Sequence, residues 1–180
     1  MLILCLGALS LARTRMEADV VPAPLDLEWI KEERADASNP MRLHVIFKKS
    51  RAQLEALEST LIAVSTPGSP RYGLHLTREQ VNAMVAPPAA AVEAVESWLE
   101  AEGLPPSLLT RTSRQGDTLS LEVSVATAEA LLSTELHVFR HRDRLDVPPI
   151  LRAAAPYTLP SAVARVVSMV ADVLVLLSGT

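Results

Sequence analysis

Few side chains in this 180-residue sequence are equipped for chemistry. Its one cysteine, Cys5, has no second thiol with which to form a disulfide or a redox pair. His137 and His141 lie four residues apart, a spacing that on a strand sets both on one face. A zinc site would need a third ligand, and none is evident, so they read as exposed histidines beside a basic loop. Glu93, Glu96, Glu100 and Glu102 recur along a helical pattern and read as a solvated face, as do Glu55 and Glu58. The sequence has no G-x-S-x-G, no Gly-rich phosphate loop and no H-E-x-x-H. No nucleophile can be matched with a base, so the chain carries no complete catalytic site of its own.

Composition narrows the partners. The formal net charge is −4, from 17 basic and 21 acidic residues, with no cluster of cations able to track phosphates. With two Trp, two Tyr and two Phe there is no base-stacking platform either, so nucleic acid is excluded as a partner. Apolar residues make up 49% of the chain, enough for an ordinary core in a single domain. Residues 1–12 (MLILCLGALSLA) have the length and small-residue ending of a secretory signal, although no Lys or Arg precedes the apolar run. The apolar tail 163–177 is interrupted by Arg165 and Asp172, which argues against a membrane span.

The elements that must position these residues follow from periodicity. Residues 13–40 form an extended, proline-bearing leader. From Met41, Leu43, Val45 and Phe47 alternate with His44, Ile46 and Lys48 as a strand. Ser50 and Gln53 make a capping box that opens a helix, and Leu54, Leu57, Leu61 and Val64 are expected to pack it on a sheet. Thr77 and Gln80 open a second helix, and Pro87-Pro88 seeds a third carrying Val92, Val95, Trp98 and Leu99. Strands are expected at 108–112, 119–124 and 136–139, with a short helix over 127–132. The order is that of an α+β, ferredoxin-like split βαβ fold: a four-stranded antiparallel sheet with helices on one face. In that fold the last strand lies beside the first. The open face would then carry His44, Ile46, Lys48, Glu122, His137 and Phe139, with His141 following on the same side. This is either a partner-docking face or plain solvent exposure.

Four ordered blocks add a resemblance. They are Ser69-Pro70-Arg71-Tyr72-Gly73 with Leu76-Thr77; Trp98-Leu99 with Gly103; Ala128-Glu129-Ala130-Leu131-Leu132 with Thr134-Glu135 and His137; and Tyr157-Thr158-Leu159-Pro160. Together, over roughly residues 25–168, they resemble the activation pro-domain of the sedolisin serine-carboxyl peptidases, the family of kumamolisin and lysosomal tripeptidyl peptidase. Leu74 stands where that family commonly has Lys, and the likeness fades after Val167. Read from the residues, 1–12 are a signal and 13–40 a leader; the resemblance makes 41–168 a pro-domain, followed by a divergent apolar tail (169–180). It implies a folding helper and inhibitor of a cognate peptidase catalytic domain, removed in acid, in a secreted, lysosomal or vacuole-like setting. It places the Ser-Glu-Asp triad and a calcium site in a catalytic domain outside this chain, so no cofactor is expected here. His44, His137 and His141 would then gather positive charge on the docking face in acid and loosen the complex. The readings that compete are a stand-alone binding protein of the same fold and an inhibitor acting in trans on other peptidases.

Overall fold

A computed structural model describes residues 12–16, 28–111, 113 and 116–173. The expected signal segment lies outside these residues except for Ala12. In chain order the elements are β1 (Arg13–Arg15), β2 (Trp29–Arg34), β3 (Pro40–Phe47), α1 (Arg51–Ser65), α2 (Arg78–Val85) and α3 (Ala89–Ala101). A turn of 3-10 helix at Pro106–Leu108 leads to β4 (Thr110–Arg111), β5 (Thr118–Ser124), α4 (Val125–Leu132) and β6 (Leu136–His141). The chain continues through β7 (Ile150–Ala153), β8 (Thr158–Pro160), α5 (Ser161–Val166) and β9 (Val167–Ala171). The strands form antiparallel sheets in the orders β4-β5-β3-β9, β2-β6-β7 and β1-β8.

Local sequence explains the best-defined elements. In β3, Met41, Leu43, Val45 and Phe47 are buried while Arg42 is exposed, the alternation of a strand with one covered face. In β5, Leu119, Leu121 and Val123 point to the same side. Both capping boxes form, Ser50 with Gln53 and Thr77 with Gln80. Helix α3 buries Val92, Val95, Trp98 and Leu99, and α4 buries Val125, Ala128, Leu131 and Leu132. These meet the inner face of the four-stranded sheet in one cluster that also takes in Tyr157, Leu159, Val163, Val167 and Val170. Burial of each Leu or Val side chain contributes about 1.5–3 kcal/mol. Glycine is required just past α3, where Gly103 takes φ +81° and its N–H bonds to the Glu100 carbonyl.

The architecture mixes helices with antiparallel sheets, as the α+β expectation has it, but the expected strands do not all share one sheet. Residues 136–141 pair with β2 and β7, and the place beside β3 belongs to β9. At the end of α4, Ser133 adopts a left-handed backbone (φ 48°), which ends the helix shortly before β6. Strand β9, which crosses the expected boundary at residue 168, supplies Val167 and Val170 to the core against Phe47 and Val45. The leader is also not bare extended chain, since β1 and β2 are both paired.

A second correction concerns α1. Its apolar stripe was expected to pack on a sheet, yet Val64 is its one buried residue. Leu57 is half-buried and Leu54, Leu61 and Ile62 are exposed. The helix packs instead on α2, and Gln53 ties the pair together by donating to the carbonyls of Met84 (3.3 Å) and Ala86 (2.9 Å). Val138 on β6 is half-buried.

Candidate docking surfaces

The seven residues expected on one docking face are split between two sheets. His44, Ile46 and Glu122 lie on the outer face of the four-stranded sheet, where Arg42 pairs with Glu122 across β3 and β5. Beside that pair a groove of about 480 Å³ is lined by Ser107, Leu108, Thr110 and Ser120 as well. His44 Nε2 lies 3.4 Å from Asp172, whose other carboxylate oxygen lies 3.4 Å from Arg152 of β7. This links the two larger sheets. Lys48 follows β3, and its ammonium donates to the Ala164 carbonyl at 2.7 Å.

His137, Phe139 and His141 belong to the other sheet, on β6. Phe139 is fully buried and therefore presents nothing to a partner. The His137 side chain is 14% exposed, with Nε2 3.9 Å from Glu135. His141 Nδ1 accepts the N–H groups of Asp143 (3.2 Å) and Arg144 (3.1 Å), and its ring meets Trp29 edge-on at 5.2 Å. His141 thus shapes the loop after β6. His44 and His137 do not sit on neighbouring strands, so the three histidines do not pool charge on one face. The physical reason is again the place of β6 beside β2 rather than β3.

The sequence reading missed another surface. Five of the eight large exposed apolar side chains among the described residues, Leu54, Leu61, Ile62, Tyr72 and Leu74, lie on α1 and the turn after it. The turn itself is rigidly bonded. Ser69 N–H donates to the Thr66 carbonyl, Tyr72 N–H to Ser69, Gly73 N–H to Val64 and Leu74 N–H to Arg71, all at 3.0–3.1 Å. Gly73 closes it with φ +76°, a conformation that other residues adopt only with strain. Helical periodicity identified the Leu stripe on α1, but periodicity does not say what the stripe faces.

Three carboxylates are held in the charged state. Burial alone would raise Glu129, yet the Arg34 hydrogen bond, the Leu136 N–H at 2.8 Å and nearby positive charge outweigh it and hold the carboxyl below its ordinary range. Burial also opposes ionisation of Asp117, and Lys49 at 2.7 Å with the Ser113 hydroxyl at 2.6 Å overcomes it. Asp36 is lowered by the Ser38 hydroxyl and N–H. Among the described residues no three His, Cys, Asp or Glu side chains converge in a way that could hold a metal. No helix there is long and apolar enough to cross a membrane.

Residues 27–174, nearly all of the folded body, match the family model described as the pro-kumamolisin activation domain. The chain belongs to that family. Tripeptidyl-peptidase sed1 of Aspergillus fumigatus is 33% identical to this activation domain over 122 residues, 67% of this chain and 18% of the fungal protein. Tripeptidyl-peptidase 1 of Rattus norvegicus is 35% identical over 144 residues, 79% of this chain and 24% of its own. Physarolisin of Physarum polycephalum is 31% identical over 144 residues, 80% of this chain and 24% of its own. The activation domain thus spans about a fifth of the length of these relatives. It is a pro-domain of the sedolisin type.

Proposed function

We propose that this activation domain assists the folding of a sedolisin-type peptidase domain and blocks its cleft until proteolysis removes it in acid. The observation that carries the reading is the match over residues 27–174 to an activation-domain family whose relatives here are peptidases several times longer. The physical logic is general. A large domain with non-local strand pairings folds slowly, and a docked helper lowers that barrier. Occupying the cleft prevents early proteolysis, and removing the segment releases the block. The strand order β4-β5-β3-β9 supports a split βαβ reading of the main sheet, with Val167–Ala171 in the fourth place. The calcium site implied by the resemblance would belong to the peptidase domain, and the setting would be the secretory pathway, secreted or lysosomal. The test adds the purified chain to the catalytic domain of a sedolisin-type tripeptidyl peptidase, assaying both peptide cleavage and recovery of activity after denaturation. Inhibition at neutral pH that fades in acid, with a higher refolding yield, is expected. A chain that neither inhibits nor improves refolding would remove the reading.

A further inference from the structure

We propose that the Arg144–Leu145 bond is a scission site for an arginine-directed, trypsin-like endoprotease, distinct from any cut that frees this domain from a peptidase. The bond lies in the loop 142–149 that joins β6 to β7. Every residue from Arg142 to Asp146 is exposed, and Leu145, at 81%, is the most exposed large apolar side chain among the described residues. A protease takes its substrate as extended backbone, so it nicks exposed loop tips where few bonds must break first. The bonds here are local. Asp143 and Arg144 N–H donate to His141 Nδ1, and Val147 N–H donates to the Arg144 carbonyl at 3.2 Å. Each closes on a residue at most three positions away. Opening them leaves Phe139 paired with Ile150 at the base of the loop, and no core contact is disturbed.

The side chains name the protease class. Arg144 is 63% exposed and has Asp146 as a partner at 3.5 Å. An exposed pair at that distance holds weakly, so the guanidinium can leave it for an acidic specificity pocket. Competing cations are better protected. Arg71 is exposed but lies in the hydrogen-bonded turn that Gly73 closes, and Arg140 is fixed in β6 with Glu32 at 3.0 Å. The step is a hydrolysis: water adds across the amide, leaving a carboxylate on Arg144 and an ammonium on Leu145. The cut places β7, β8, α5 and β9 on a separate fragment, 145–180. Strand β9 still pairs with β3 and Val167 and Val170 still fill the core, but the two pieces are then held by burial alone. Their stability becomes a matter of concentration. Resting on the proposed function, the piece attached to a peptidase domain would be the one carrying β9, and the remainder could depart without it.

The test treats the full chain with a trace of trypsin at neutral pH and reads the fragments by mass and N-terminal sequencing. Among the bonds within 28–111 and 116–173, the first cut should give a fragment beginning Leu145-Asp146-Val147. Arg144→Gln should slow cutting of the loop at least about tenfold with circular dichroism unchanged, and His141→Ala, which removes the acceptor for two loop N–H groups, should speed it about threefold or more. Earlier cutting at Arg71, at Arg142 or within a helix overturns the assigned bond, as does a loop cut equally fast in Arg144→Gln. The nicked chain should run as one particle at neutral pH, and its unfolding midpoint should fall on dilution while that of the intact chain does not. A midpoint independent of concentration overturns the release of the β9 fragment. Inhibition and refolding of a peptidase are measured separately, so the proposed function survives any of these failures.

Discussion

Tyr157 is fully buried, and its hydroxyl accepts the Val170 N–H at 2.6 Å. Its aromatic body fills the core while its polar tip satisfies the outward backbone of an edge strand. Tyr157→Phe keeps the volume and orphans a buried donor, so a loss of about 1–3 kcal/mol is expected in denaturant unfolding. Phe47 is buried on β3, and Phe47→Ala should cost about 3–5 kcal/mol by the same measurement. At this scale the sequence was partly legible. Ser50 and Thr77 were readable as caps because their partners lie three residues away. The alternation of β3 and β5 was readable because one residue's face predicts the next. Phe139 was misread because β6 does not alternate: Leu136 and Phe139, on opposite faces of the strand, are both fully buried. The role of Asp172 could not be found, since its link to His44 joins positions more than a hundred and twenty residues apart.

Helix α1 is well capped and poorly buried. A single capping box is worth about 1 kcal/mol, so α1 depends on its contacts with α2 more than on any core. Leu54→Ser and Leu61→Ser should therefore shift thermal unfolding little, within about 0.5 kcal/mol, whereas Val95→Ala on α3 should be clearly destabilising. Amides of α1 should exchange with solvent faster than those of β3 and β5, because local opening of the helix exposes little apolar surface that was not already wet. An amphipathic stripe on a helix was legible in the sequence; the identity of its partner was not. The same limit explains β9. Its residues read as an apolar tail, and only the pairing with β3 shows them to be the fourth strand.

Across the molecule, ionised carboxylates hold elements together that are distant in sequence. Glu129 joins α4 to Arg34 of β2, and Asp117 joins the start of β5 to Lys49 at the base of α1. Asp36 fixes the turn ahead of β3. All three carboxyls titrate lower in the folded chain than in the unfolded chain. A depressed carboxyl adds stability that is complete above the unfolded pKa and is lost as pH falls through the folded one. The melting temperature should therefore hold from neutrality to about pH 5 and drop below about pH 4. Replacing Glu129 with Gln should flatten that drop while lowering stability at neutral pH. A melting temperature that rises as pH falls from 5 to 3 would contradict the assignment. Acid thus loosens the activation domain itself, whatever it does to a partner.

The position of β9 also sets a schedule. Strand β3 is made early and pairs on one side with β5, but its other edge waits for residues synthesised more than a hundred positions later. At ~5–20 residues per second that edge stays open on the growing chain for on the order of ten seconds. An unpaired strand edge is a template for pairing with another chain. Nascent copies on one polysome would therefore be at risk of joining through β3 until Val167–Ala171 closes it. Ribosomes stalled just before β9 should accumulate sticky, chaperone-bound chains, and ribosomes stalled well after it should not.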